Sequence, residues 1–160
     1  MLGACQVSAA ELLIGVRVKI GNLPETIFDA AGKTLAIIIP GTYVAADIEF
    51  LTESASNFQV GLMKRGPSSP AYPHAHKPVA RQILGTQEFL LVRKGSMTVT
   101  IYDELEVVCA TRDMHQSDSI LLLAGGHGIA FKEQTEILEV KQGPYIEGDD
   151  KYLINLSSHE

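Results

Sequence analysis

Two histidines and a glutamate are the side chains whose types and spacing most clearly suggest chemistry in this sequence. His74 and His76 stand one residue apart in "PHAHKP", and Glu88 begins the apolar run "EFLLVRKG". On β-strands, alternate side chains share a face, so the two imidazoles would project together and Glu88 would lie with Leu90 and Val92. If both strands face inwards, two imidazoles and a carboxylate meet in an apolar interior. Such buried groups need a compensating partner, and a divalent metal ion fits the set.

A third imidazole completes such a set, because His127 lies in a glycine-rich turn within "SILLLAGGHGIAF". Gly125, Gly126 and Gly128 permit backbone conformations that other residues rarely adopt. Three imidazoles and a carboxylate suit Fe, Mn, Ni or Zn as a divalent ion, and four protein ligands leave coordination positions for water or substrate. The sequence therefore predicts one divalent metal ion with open coordination positions.

These residues resemble the two sequence motifs of the cupins, whose fold is a double-stranded β-helix of the jelly-roll type. "HAH" followed by "EFLLVRKG" is similar to the first motif, with the family's six residues between Glu88 and Gly95, and "SDSILLLAGGHG" looks like the second. The likeness covers about residues 58 to 141. It implies a metal-dependent enzyme acting on a small polar metabolite, such as a sugar-related compound, with oxygenase, isomerase or epimerase activity. The metal ligands that it implies are His74, His76, Glu88 and His127.

The sequence also departs from the family pattern, which leaves alternatives open. The spacer "KPVARQILGTQ" between His76 and Glu88 is longer than the family's, and the glycine-rich turn lacks the usual preceding proline. Gln82, Gln87 or a water is therefore an alternative ligand. A non-catalytic small-molecule-binding cupin and a metal-free structural cupin are the alternative functions.

Two further groups of residues are candidates for contacting a ligand near the metal. Arg81 and Gln82 lie in the long spacer, and a planar cation and an amide suit a carboxylate, phosphate or hydroxyl-rich molecule. Lys141, Gln142 and Tyr145 follow the last predicted barrel strand and are expected at the barrel mouth. His115 and His159 are interpreted as ordinary surface residues, and Cys109 as a small buried hydrophobe.

Composition limits the classes of protein to which the chain can belong. Its 160 residues, 46% hydrophobic and 20% charged, fit a single soluble globular domain. A net charge of −6 with scattered lysines and arginines argues against nucleic acid as a partner. No apolar run is long enough for a membrane helix. Two cysteines, Cys5 and Cys109, are too few for a disulfide framework, which favours the cytoplasm.

The elements that must position the site are mostly short strands. Ser8, Glu11 and Gly15 bound one predicted helix over residues 8–15, with a capping box at its start. About ten strand-like runs follow, from "VRVKI" to "KYLINL", separated by turn sequences. Strands at this spacing indicate an antiparallel sandwich or barrel. The cupin resemblance implies an all-β jelly-roll barrel in one structural domain, with residues 1–57 as an extension that adds strands and residues 58–160 as the barrel. A homodimer is expected, because the runs "TLAIIIP" and "VAADIEFL" exceed what one small barrel needs.

Overall fold

The computed structural model describes residues 18–69, 71–148 and 150–154, and every regular element in them is a β-strand. The helix predicted over residues 8–15 lies outside the described residues. In the described part of the chain, no helix has the length and apolar character needed to cross a membrane. The eleven described strands are β1 Val18–Lys19, β2 Glu25–Phe28, β3 Thr34–Ile39, β4 Ile48–Phe50, β5 Gly61–Met63, β6 Glu88–Lys94, β7 Ser96–Tyr102, β8 Val108–His115, β9 Ser119–Leu122, β10 Gly126–Phe131 and β11 Glu136–Lys141.

The strands form two main sheets and a separate hairpin. One sheet has the order β1-β8-β7-β10, the other has the order β11-β6-β9-β3-β2, and β4 pairs only with β5. The pairing of β1 with β8 is parallel, and the other pairings between described strands are antiparallel. Since the two main sheets share no strand, they form an open arrangement and not a closed barrel. The prediction of an all-β protein is confirmed at this level.

The main core lies between the two sheets. Leu90 and Val92 of β6 meet Val99 and Ile101 of β7 in one buried cluster, and all four side chains are almost completely shielded from solvent. Alternation along each strand produces this arrangement, because every second side chain points into the sandwich. Burying an aliphatic side chain of this kind contributes roughly 1.5–3 kcal/mol. The predicted face shared by Glu88, Leu90 and Val92 is thus the inner face of β6.

The outer face of the five-stranded sheet carries a second, smaller cluster. Ile37, Ile39 and Leu121 are buried there beneath the segment 51–62, which includes the first two residues of β5. Phe89 packs against this cluster, so the two faces of β6 serve two different apolar layers. The run "TLAIIIP" is consequently buried as β3 within one chain, and it no longer supports a dimer.

The chain passes from one sheet to the other directly after β6. A turn at Gly95, which has a φ of 81°, follows the last residue of β6, Lys94. The strands on either side of it do not pair with each other, because β6 lies between β11 and β9 whereas β7 lies between β8 and β10. Glu88 and His127 can therefore approach each other from opposite sheets.

Several strands differ from the sequence prediction. β2 was not predicted as a strand, and the first residues of β10, Gly126 to Gly128, were predicted as a turn, whereas "KYLINL" forms no strand over residues 151–154. The strand expected at His74 and His76 is absent, and this prediction is wrong. Pro73 and Pro78 flank the two histidines, and proline cannot donate a hydrogen bond to a β-ladder.

A buried ion pair joins the two sheets at the edge where β8 faces β2. Arg112 is only 7% exposed, and its position between Ala110 and Met114 places it on the inner face of β8. Its Nη2 donates to Glu25 Oε1 at 2.6 Å and its Nε to Glu25 Oε2 at 3.0 Å. This bidentate geometry is the strong form of a charged hydrogen bond. The pair closes the edge of the sandwich opposite to the cavity described below.

Candidate functional site

A cavity of about 610 Å³ opens where β10 of one sheet faces β6 and β11 of the other. Its walls come from three places: the facing strands, the glycine-rich segment before β10, and residues 150–154. The side chains that matter for chemistry are those with ionisable or hydroxyl groups. They are Thr86, Glu88, Tyr102, His127, Glu139, Lys141, Asp150, Lys151 and Tyr152.

The central contact of the cavity joins His127 and Glu88, with 3.3 Å between His127 Nε2 and Glu88 Oε2. His127 pairs in register with Ile101, which belongs to the main core, so its side chain lies on the inner face of β10. Glu88 is on the inner face of β6, and the next residue on that face, Leu90, is buried. Both side chains are partly buried. The two sheets therefore bring an imidazole and a carboxylate together at the open end of the apolar core.

Lys141 stands beside this pair and contacts three carboxylates. It lies opposite Glu88 in the β11–β6 register, and its Nζ is 3.9 Å from Glu88, 3.5 Å from Glu139 and 3.7 Å from Asp150. Partial burial lowers the pKa of Lys141, but the carboxylates of Glu139, Glu88 and Asp150 outweigh it and raise the pKa above the ordinary value. Lys141 is therefore an ammonium at neutral pH.

Residues 150–154 form the outer wall of the cavity and lie close to the start of β10. A Cβ atom placed on Gly126 would come within 2.4 Å of Ile154 Cδ1, a distance that a real side chain does not adopt. Asp150 ties the same segment to Lys141. Of the glycines expected to relax the backbone here, Gly125 has a positive φ of 69°, whereas Gly126 and Gly128 lie within β10. A side chain at position 126 would therefore displace the end of the Ile154 side chain.

The structure does not bring His74 and His76 to this cavity. Both are exposed in the long connection between β5 and β6, and neither lines the cavity. Their rings contact each other edge to face with centroids 5.3 Å apart, and His74 Nδ1 is hydrogen-bonded to the carbonyl of Tyr72 at 2.9 Å. The parts of the chain described here contain no group of three or more His, Cys, Asp or Glu residues placed to hold a metal ion. The four-ligand set is therefore not assembled in this structure.

Of the predicted ligand-contacting residues, Lys141 alone lines the cavity, and two others support it. Gln142 accepts a hydrogen bond from the Gln87 backbone N–H through Oε1 at 2.6 Å, which fixes the start of β6 beside the end of β11. The Tyr145 ring lies 5.6 Å from Lys141 Nζ, within the range of a cation–π contact. Arg81 and Gln82 lie elsewhere on the surface, and Arg81 donates to the Val79 carbonyl at 3.4 Å.

Five ionisable residues of the cavity escaped the sequence analysis, namely Tyr102, Glu139, Asp150, Lys151 and Tyr152. A signal existed for Glu139, which lies two positions before Lys141 on β11 and therefore shares its face. Tyr102 is almost completely buried next to a register shift in β7, and Asp150 follows a turn beyond the last strand. Strand alternation does not predict the position of Tyr102 or of Asp150, because each of them lies at an irregular part of the backbone.

Comparison of the chain with protein-family models, with curated proteins and with solved structures finds no match. The class of protein therefore follows from the fold and the cavity alone. The chain is an all-β protein with two facing sheets and a polar cavity at one edge of its core.

Proposed function

We propose that this protein is a cupin-like small-molecule-binding protein whose ligand is a polar metabolite held in the cavity between β6, β10 and β11. The observation that carries the proposal is the His127–Glu88 contact of 3.3 Å, made between opposite sheets inside a cavity of about 610 Å³. An ionisable pair at the end of an apolar core stabilises the fold less than an aliphatic pair would, and such groups mark functional sites. The cavity is of the size that small ligands occupy.

The arrangement can move a proton at the ligand. Imidazole is the side chain best suited to accept and return protons near neutral pH, and a carboxylate on one ring nitrogen fixes the orientation of the ring. Glu88 is suited to that role, since its other oxygen is 3.9 Å from Lys141 Nζ. The Lys141 ammonium supplies positive charge beside the pair. These groups favour an enzyme that transfers protons, such as an isomerase or epimerase, over a module that only binds.

The test is ligand binding and turnover by the wild-type protein and two variants of the pair. A panel of sugars, sugar nucleotides, amino acids and hydroxy acids is screened by backbone-amide NMR, with turnover followed for each compound that binds. Glu88→Gln and His127→Gln should each weaken binding about tenfold or more, the scale of a hydrogen bond to a charged group. His115→Gln is the matched control, because His115 is exposed at the end of β8. Ligand shifts that avoid the cavity, or equal affinity in all four proteins, would refute the proposal.

A metal-binding protein is the second candidate, and one specific observation favours it. Glu88 and His127, two of the four ligands that the cupin resemblance implies, lie side by side. A borderline divalent ion such as Fe, Mn, Ni or Zn accepts this mixture of oxygen and nitrogen donors, and it would supply a Lewis acid. The described residues fit only half of the implied set, so no catalytic step is assigned to the metal.

Metal analysis of the purified protein distinguishes the two candidates. If the metal candidate holds, about one divalent ion per chain is expected, and the double variant His74→Ala, His76→Ala should lose it. Neutral imidazole is the ligating form, so bound metal should be released as the pH falls through the histidine range, about 6.5 or lower. Full metal retention in the double variant would remove these two histidines from the site.

A further inference from the structure

A second cavity of about 560 Å³ lies on the outer face of the five-stranded sheet, away from the His127–Glu88 pair. Its apolar floor includes Ile37, Leu51 and Leu123, which belong to the smaller apolar cluster or pack against it. Leu122 lines the first cavity and Leu123 the second, whereas Ala124 lines both. Ligand binding in each cavity can therefore be followed through residues that line only that cavity.

Hydroxyl and amide groups surround this apolar floor. They belong to Thr26, Thr34, Thr52, Ser56, Asn57 and Gln87. Thr52 is 8% exposed, and its Oγ1 accepts a hydrogen bond from the Val60 N–H at 3.1 Å. A threonine hydroxyl can donate as well as accept, so this bond leaves the Thr52 hydrogen free for an acceptor. The Thr52 hydroxyl is thus a buried hydrogen-bond donor in the polar part of the cavity lining.

Gln87 contributes an acceptor that has no partner. Its Nε2 donates to the Leu123 carbonyl at 3.2 Å, which fixes the orientation of the amide because a carbonyl oxygen cannot donate. Gln87 Oε1 is then shielded from solvent without any hydrogen bond in the described part of the protein, and it is the one side-chain atom of this kind found there. An unsatisfied buried acceptor destabilises the fold. A donor from the cavity would remove this penalty after a shift of the Gln87 side chain, because no water-sized group can touch Oε1 in this structure.

The cavity lining carries one charge of each sign. Lys33 and Glu53 are the charged residues among the lining residues. A charged ligand therefore meets one lining charge of its own sign as well as one of the opposite sign. A hydroxyl group, in contrast, can donate to Gln87 and accept from Thr52. We propose that this cavity is a second binding site, for an uncharged molecule that carries hydroxyl groups on an apolar ring or chain.

The experiment uses four probes with the same ring and different polar groups. Backbone-amide shifts of the full chain are followed during titration with trans-1,2-cyclohexanediol, 1,2-dimethoxycyclohexane, cyclohexylamine and cyclohexanecarboxylate. The diol should shift the signals of Thr26, Thr52 and Asn57 while leaving His127 and Lys141 unchanged. Because the dimethoxy compound has no donor, it should bind about two- to tenfold more weakly, the range that one net hydrogen bond gives. The two charged compounds should also bind more weakly.

Variants of the lining test the same point. Gln87→Leu and Thr26→Val should each lower affinity for the diol about two- to tenfold. Thr26 is exposed, so its isosteric variant keeps the proposal testable even if Gln87→Leu fails to fold. Thr42→Val is the control, because Thr42 is an exposed threonine that does not line the cavity. Diol shifts centred on another surface, equal binding of the dimethoxy compound, or unchanged affinity in both folded variants would overturn the proposal.

Discussion

The Arg112–Glu25 ion pair gives the sharpest prediction about stability, because its two partners differ in burial. The side chain of Arg112 is 9% exposed and that of Glu25 is 30% exposed. Removing Glu25 leaves a guanidinium inside the sandwich without a carboxylate, and its Nη1 keeps only the Thr111 carbonyl at 3.0 Å. Removing Arg112 leaves a carboxylate that can still reach water. The two single substitutions should therefore have unequal effects.

The expected magnitudes follow from this asymmetry. Breaking a fully buried ion pair from one side typically costs about 3–5 kcal/mol, and the partial exposure of Glu25 reduces this to roughly 2–3 kcal/mol for Glu25→Ala. Arg112→Met keeps the apolar stem and should cost only about 1–2 kcal/mol. The double variant Glu25→Ala, Arg112→Met should cost less than the sum of the two, because neither charge is left behind.

Urea unfolding monitored by far-ultraviolet circular dichroism measures these differences. A loss of 2–3 kcal/mol corresponds to a fall in Tm of roughly 4–12 °C for a chain of this length. Lys33→Met serves as the control, since Lys33 and Glu104 form an ion pair that is about half exposed. Such pairs contribute about 0–1 kcal/mol. If Glu25→Ala were no more destabilising than Arg112→Met, or if the two effects simply added, the assignment of a buried pair would fail.

Three further predictions concern the cavity wall, Lys141 and assembly. Gly126→Val should speed amide hydrogen exchange in residues 150–154, because the new side chain collides with Ile154, whereas Gly21→Val should not, because nothing lies within 4 Å of its Cβ position. The pKa of Lys141 is raised, so the stability that this residue contributes is fully present below the unfolded-state pKa of about 10.4. That stability is lost only as the pH rises through the higher pKa of the folded state. NMR titration of the Lys141 ε-methylene carbon should therefore show a midpoint above the unfolded-state value. Light scattering at micromolar concentration should give a homodimer, since Ile48, Phe50 and Met63 are about half exposed on the β4–β5 hairpin, and Phe50→Ser should weaken it.

The strands of the core could be predicted from the sequence because their patterns are local. "EFLLVRK" and "SMTVTIY" alternate or run apolar between clear turn residues, and both form strands within one residue of the expected bounds. The start of β10 was predicted as a turn because its first residues, Gly126 to Gly128, have the composition of one. They form a strand here through pairing with β7, which places His127 opposite Ile101. That pairing is tertiary, and no local pattern encodes it.

The sequence predicted two of the four proposed ligands in positions that the structure brings together, and it misplaced the other two. Glu88 and His127 were both selected, and the structure places them 3.3 Å apart. The spacing of His74 and His76 suggested a strand only because two residues of separation fit a strand period. Their flanking prolines, Pro73 and Pro78, carried the stronger local information, since they prevent regular pairing on both sides.

The Lys141 ammonium provides a test of whether metal and proton transfer compete for Glu88. Its Nζ is 3.9 Å from Glu88 Oε1, and it also contacts Glu139 and Asp150. A divalent ion bound to Glu88 would experience repulsion from this neighbouring positive charge, at a distance where screening by salt is incomplete. Lys141→Met should therefore raise the affinity for Zn²⁺ or Mn²⁺ in calorimetric titration if Glu88 is a metal ligand, while Lys151→Met serves as a lysine control on the same wall. If Lys141→Met leaves metal affinity unchanged but weakens the polar ligands found by screening, Glu88 acts with His127 and Lys141 on the ligand itself.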